Sequence, residues 1–285
     1  MPNNVHSLTP IVLFTQPDNI YEAEKWHEET LKIYDKKSYD SNNKKPNPEA
    51  PNARLIYFHV IHGVSVKKFE SGVNLDSALI ASSEGITWIY FSREDGVWYG
   101  ESIGLGEMSL VNKTGYKGSG DVDAGKVGDD AFAYIPAVEP FHGNTVAVYY
   151  KTQETNESKN SLTGCQWQRT VLDVYGDPNA LGEGPAHFVV CADFDNDGDD
   201  EFIVAPRAPM PWMGVFYYKA IDVKNGVFVK WRVSQDSADR IAVADFDGDG
   251  RLDFATIGYS VDGYFCADNP SIVVYYNDFA LHQRI

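Results

Sequence analysis

Apolar residues in this chain fall into short runs separated by polar, turn-forming stretches, and the runs recur in a fixed order. Phe188-Val189-Val190-Cys191-Ala192 leads into the acidic stretch Asp193-Phe194-Asp195, and Phe202-Ile203-Val204-Ala205 leads out of it. The same grammar returns 52 residues further on, as Ile241-Ala242-Val243-Ala244, Asp245-Phe246-Asp247 and Phe254-Ala255-Thr256-Ile257. A third run in each copy carries paired aromatics, Tyr217-Tyr218 and Tyr275-Tyr276. Runs this short, rich in β-branched and aromatic residues and bounded by turn formers, predict strands.

Two earlier copies keep the order while losing acids. Glu70-Ser71-Gly72 and Asp76 precede Ala78-Leu79-Ile80-Ala81 and Ile89-Tyr90-Phe91, and Gly128-Asp129-Asp130 precedes Phe132-Ala133-Tyr134-Ile135 and Val146-Ala147-Val148-Tyr149-Tyr150. A tryptophan-bearing fourth run closes three copies, at Trp98, Trp167 and Trp231. Four strands per repeat predict an all-β fold, a β-propeller with about four recognisable blades near 54–110, 111–175, 183–235 and 236–279. A β-sandwich is the alternative, but it does not require a repeating four-strand unit. Residues 1–53 read as a partial blade plus an insertion: a strand from Ile11 to Phe14, a short helix or irregular piece over 21–33, and a solvated Lys/Asn/Pro-rich loop over 35–53.

Charge sharpens this picture. The 41 acidic and 24 basic residues give a net charge of −17, which argues against nucleic-acid binding, since that requires basic groups to displace phosphate counterions. Ten of the acids lie in the two loops 193–201 and 245–253, so part of the excess is a cation signal. No run is long and apolar enough to span a membrane, and the polar start, Met1 to Pro10, has no signal-peptide core. A cytoplasmic location follows only if Met1 is the true start. Cys165, Cys191 and Cys266 are too scattered for a disulfide framework or a thiolate zinc site, and read as buried free thiols.

In both acidic loops alternate side chains present oxygen ligands at positions 1, 3, 5 and 9: Asp193, Asp195, Asp197 and Glu201, then Asp245, Asp247, Asp249 and Asp253. Position 7, Asp199 or Arg251, would offer its backbone carbonyl. An EF-hand requires Glu at position 12, which here is Val204 or Thr256 inside an apolar strand. The loops are therefore sheet hairpins, like those of FG-GAP repeats, expected to hold structural Ca2+ or Mg2+. Solvated acidic turns without metal are the plain alternative.

Propeller connectivity puts the start of each inner strand on the face opposite these loops. Aligned on the position-9 acids, His62 and His187 both match Asp239, and the loop Glu139-Pro140-Phe141-His142-Gly143-Asn144 reaches the same face. A lone histidine at a strand end is ordinarily just hydrogen-bonded. His62, Glu139, His142 and His187 together form a candidate zinc set with an open position for substrate, His142 and His62 being the candidate catalytic residues. Arg207, Trp212, Asp239 and Arg240 are candidate substrate-binding neighbours, although 206–212 also reads as a plain rigid loop. His6, His27 and His282 fall outside the register.

Three longer phrases carry a family resemblance: Glu139-Pro-Phe-His-Gly-Asn-Thr-Val-Ala-Val-Tyr, Arg169-Thr-Val-Leu-Asp-Val-Tyr-Gly-Asp-Pro-Asn and Gly214-Val-Phe-Tyr-Tyr-Lys-Ala-Ile-Asp-Val-Lys-Asn-Gly. They resemble the fungal aldos-2-ulose dehydratase/isomerase family, and the similarity runs from about Pro10 to Phe279, interrupted by the 35–53 insertion. The resemblance implies the latter part of a seven-bladed propeller that is elsewhere joined to cupin and lectin-like domains, with a homodimer as the assembly. It implies a lyase that dehydrates a small keto-sugar, 1,5-anhydrofructose or glucosone, and isomerises the product toward microthecin or cortalcerone, with catalytic zinc and other, structural metals. Without its other domains the chain is expected to fold poorly, or to bind without turning over, if a catalytic histidine belongs to the missing part. The rival expectation is a non-catalytic, calcium-binding FG-GAP propeller that binds glycans or proteins. Loops that differ between blades, Glu139-Pro-Phe-His against Pro209-Met-Pro-Trp, favour one unique site.

Overall fold

The inner strands of successive blades are held together by side chains, and this fixes where the blade ends converge. The computed structural model describes residues 7–38, 54–69, 75–108, 116–153, 159–207, 211–262, 265–268 and 270–278. Within them, β1 (Val12–Thr15) and β2 (His27–Thr30) pair as a hairpin, and β3 (Ile33–Asp35) runs parallel to a later strand. The first blade contains β4 (Ile61–Lys67), β5 (Ser77–Ser82), β6 (Gly85–Ser92) and β7 (Val97–Gly104), with β3 beside β7 at its outer edge. The second contains β8 (Asp121–Val122), β9 (Gly125–Val127), β10 (Asp130–Glu139), β11 (Thr145–Lys151) and β12 (Trp167–Val174). The third contains β13 (Ala186–Ala192), β14 (Glu201–Pro206), β15 (Val215–Asp222) and β16 (Val227–Ser234). Among the described residues the fourth has three strands, β17 (Arg240–Ala244), β18 (Asp253–Ile257) and β19 (Ile272–Tyr275).

This is a β-propeller. Apart from β3, every strand pair is antiparallel between neighbours, and the second and third blades bury apolar side chains on both faces because each is packed between two others. Trp88, Ile86, Ile135, Ala137 and Tyr149 fill the layer between the first and second blades. Tyr134, Val146, Val189, Phe202 and Tyr218 fill the next, and Phe194, Ile203, Tyr217 and Ile241 fill the third.

Along the inner strands hydrogen bonds replace part of this apolar packing. Asp121 Oδ2 accepts the Val189 N–H at 3.0 Å, and Asp123 Oδ2 accepts that of Cys191 at 2.9 Å. Ser65 Oγ donates to Asp123 Oδ1 at 2.8 Å, and the Lys67 ammonium lies 2.6 Å from the same oxygen. Gly63 lets the first two inner strands meet, since a Cβ there would stand 2.6 Å from the Asp121 Cα.

Two expectations need correction. Residues 21–33 hold a single 3-10 turn (Ala23–Lys25) and strand β2; without an apolar stripe at helical spacing the segment gains nothing from coiling, and Ile33 and Tyr34 bury as the start of β3 beside Trp98. The cysteines are free, but only Cys191 is buried; Cys165 is half-buried and Cys266 exposed. The acid-poor copy at 70–72, most of the 35–53 insertion, residues 208–210, and His6, His282 and Phe279 lie outside the described residues. Among the described residues no helix is long and apolar enough to cross a membrane.

Candidate metal centre

Three histidines from two inner strands and one loop meet at the end of the blades opposite the acidic hairpins. His62 and His187 are the second residues of β4 and β13, and His142 lies in the β10–β11 loop. That loop is set by its backbone. His142 adopts φ 49°, a left-handed conformation costly for a side chain with a Cβ, as found at sites whose surroundings over-determine them. Its carbonyl accepts the Gly184 N–H at 2.6 Å, and Gly143 O accepts that of Ala186 at 3.0 Å. Gly184 permits this contact, because a Cβ would lie 2.3 Å from Gly143 O. Phe141 stacks on the His142 ring with centroids 4.0 Å apart.

The imidazoles are close and their roles are fixed. Each of the three offers a ring nitrogen within 4.8 Å of the others, and ring centroids lie 4.8–5.3 Å apart. His62 Nδ1 sits 2.8 Å from Gly120 O, and His142 Nδ1 sits 3.1 Å from Glu183 Oε1. Carbonyl and carboxylate oxygens only accept, so both Nδ1 atoms carry the proton and both Nε2 atoms present lone pairs. Those two Nε2 atoms are 3.2 Å apart. Two lone pairs so close repel unless a cation lies between them. His187 Nδ1 is 3.0 Å from Asp239 Oδ1 and 3.1 Å from Asp239 O, and Arg240 Nη1 also crowds it. A ring nitrogen tied to an oxygen while the other faces a common point is how metal-binding histidines are oriented.

Electrostatics point the same way. Burial, followed by the neighbouring His187 and His142, lowers the pKa of His62 to about 3. Burial also lowers that of His187, against the opposing pull of Asp239. Neutral imidazole is the ligating form, so neither ring must release a proton near neutral pH. At Asp239 burial works against ionisation, yet the His187 bond and the charges of Arg240 and Arg207 hold the carboxyl below its usual range. The orphaned buried atom Glu183 Oε2 completes a polar shell with no second partner among the described residues.

Other sequence candidates separate from this cluster. Glu139 is fully buried, accepts from Tyr149 Oη at 2.6 Å and from Arg169 Nε and Nη2 at 2.8 and 2.6 Å, and therefore stands apart from the imidazoles. Its carboxylate anchors the end of β10, and the His142 loop begins there. Arg207 is buried; it donates to Gly184 O at 3.1 Å and lies over the rings of Tyr259 and Phe265. Trp212 covers Gly176 beside Tyr175, one layer away. Arg240 and Asp239 flank His187 directly. Sequence reasoning missed Glu183, whose only signal is its place three residues before the His187 strand, and His59, which pairs with Glu84 at 2.7 Å.

The acidic hairpins share one backbone scheme. Asp193 accepts the N–H groups of Asp197 and Gly198, and Asp245 accepts those of Gly248, Asp249 and Gly250. Glu201 and Asp253 each close a hairpin on the residue after its first acid, Phe194 or Phe246. Asp193, Asp195 and Asp197 converge, as do Asp245, Asp247 and Asp253. Asp199 does not join its group, because its Oδ1 accepts the Gly128 N–H at 2.6 Å. Asp249 is drawn off by the Arg251 guanidinium, which also donates to Asn277 O through Nε.

Blade architecture and a three-histidine end define a β-propeller with a candidate metal centre. Residues 1–152 match the family described as aldos-2-ulose dehydratase, beta-propeller domain. The chain is also 39% identical over 238 residues to the aldos-2-ulose dehydratase of Phanerodontia chrysosporium, an overlap covering 80% of this chain and 25% of that protein. The chain belongs to the aldos-2-ulose dehydratase β-propeller family. It spans about a quarter of the length of the curated relative that it matches.

Proposed function

We propose that this chain forms the propeller part of a zinc-assisted keto-sugar dehydratase, a carbon–oxygen lyase, with His62, His142 and His187 as the zinc ligands. The observation that carries the reading is the approach of the His62 and His142 Nε2 lone pairs to 3.2 Å, with both Nδ1 atoms committed to oxygens. Three nitrogen ligands suit zinc and leave a position open. Zinc bound there would act as a Lewis acid on a C2 ketone and make the proton at C3 easier to remove.

The chain's own residues orient the sugar and hold charge. The Asp239 carboxylate and the half-exposed Arg240 stand at the rim, an acceptor and a donor for sugar hydroxyls. Arg207, sealed beneath Tyr259 and Phe265, keeps the loop after β18 against this end of the blades. A small keto-sugar such as 1,5-anhydrofructose is the expected substrate, within a longer, seven-bladed and dimeric protein. The test is to incubate the zinc-loaded full-length protein with 1,5-anhydrofructose and follow ultraviolet absorbance. A growing enone band supports the reading, and its absence from that form would sink it.

Glu183→Gln is the accompanying test of orientation. An amide can turn its NH2 toward His142 Nδ1 and favour the other tautomer, so zinc affinity should fall by about 10–100-fold. Competition against a chromophoric chelator reads this directly. Unchanged affinity would reduce Glu183 to a packing residue.

A further inference from the structure

The two acidic hairpins look alike in sequence, but a side chain from the neighbouring strand makes them different. In the first, Asp199 and Asp200 turn to the second blade, where they accept the N–H groups of Gly128 and Lys126 at 2.6 and 2.9 Å. Asp195, Asp197 and Glu201 face Lys219, which extends from β15, while Asp193 accepts backbone N–H groups of its own loop. Its Nζ lies 2.5 Å from Asp195 Oδ2, 2.7 Å from Asp197 Oδ2 and 3.0 Å from Glu201 Oε1. An ammonium has three N–H donors, and here each meets a different carboxylate. Burial of Lys219 opposes its charge, but these three bonds raise its pKa well above the ordinary value. At Asp197 burial opposes ionisation too, and the Lys219 and Asp199 bonds outweigh it and hold the carboxyl below its usual range.

Strand register identifies the matching residue in the second hairpin. Phe202 pairs with Tyr218, and Phe254 pairs with Tyr275, so the position after each pair is Lys219 in one blade and Tyr276 in the next. The fourth blade thus has the uncharged Tyr276 at the register position that Lys219 holds in the third. Arg251 does not replace the lysine, since its guanidinium lies on Asp249 and Asn277, while Asp245, Asp247 and Asp253 converge.

We propose that the first hairpin is a cation seat which the chain fills itself, with the Lys219 ammonium standing where a divalent ion would otherwise bind. Positions 3, 5 and 9 of the loop, the set that would ligate a hard cation, are the three that Lys219 holds. A divalent ion entering there would meet a fixed positive charge at close range and must first displace it. The seat is independent of the histidines, which lie at the other end of the blades.

Calcium titration by calorimetry of chelator-stripped protein tests this through the number of sites per chain. Asp195→Asn should leave the wild-type number unchanged, because no ion is lost. Lys219→Met, which keeps the stem and removes the charge, should gain one site; Asp195 Oδ1 is buried without a partner and becomes available to it. The double variant Lys219→Met/Asp195→Asn should lose that gain. A fall of one site in Asp195→Asn would overturn the proposal, as would a folded Lys219→Met protein with no added site. Should Lys219→Met fail to fold, the comparison of wild type with Asp195→Asn still decides.

Discussion

Replacing His142 by alanine is expected to lower zinc affinity by at least about 100-fold and to abolish the growth of an enone band. The lower bound comes from outer-shell partners, whose loss alone costs about 10–100-fold, and a direct ligand is worth more. His142 is the sharpest choice of the three because it belongs to a loop and not to an inner strand. Its removal leaves β4 paired with β5 and β13 with β14, and keeps the Cβ and the backbone of residue 142 without disturbing Gly184 and Ala186, whose N–H groups bond the loop backbone. Thermal stability of the metal-free protein should therefore change little. Equilibrium dialysis and the ultraviolet assay check the two halves of the expectation. Unaltered zinc binding would remove the histidine cluster from the proposed chemistry.

Arg169→Met should destabilise the protein by about 3–5 kcal/mol, the usual cost of stranding one member of a buried ion pair. Glu139 has no exposure, and Arg169 supplies two of its three hydrogen bonds. Burial already pushes the Glu139 pKa above its ordinary value, and the Arg169 charge is the chief opposing influence. Without it the folded-state pKa rises further, while the unfolded value stays near that of a free carboxyl. A raised folded-state pKa means that the fold binds the extra proton, so stability falls as pH rises through that range. The deficit against wild type should widen from about pH 5 to about pH 8. Urea unfolding at several pH values measures it. A small, pH-independent loss would show that Glu139 is satisfied by Tyr149 alone. The double change Glu139→Gln/Arg169→Met should cost less than Arg169→Met, because no charge is left buried.

Much of the architecture was legible along the chain because a propeller repeats itself. Apolar runs in the order of β13, β14 and β15 recur as β17, β18 and β19, and a hairpin of alternating acids marks the first turn of each. Central strands such as β11 and β14 bury both faces, so composition alone distinguishes them from loops. Repeat register also placed His62 and His187 at equivalent positions, since residues that begin inner strands must share one face. Segment 21–33 was misjudged because a short polar stretch carries no period; contact with β7 decides that Ile33 and Tyr34 extend.

What only the tertiary structure decided are the side-chain contacts within and between blades. Glu139 and His142 are three residues apart and look like a pair, yet one turns inward to Arg169 and the other toward His62. Asp239, equivalent in register to two histidines, supports His187 through its Nδ1. The two acidic hairpins read as the same site until Lys219, from a strand 18 residues beyond Glu201, is seen among the carboxylates of the first. Sequence fixes a repeat because it is a local pattern of polarity. Which carboxylate meets a cation depends on side chains brought together by strand pairing, and there the repeats differ.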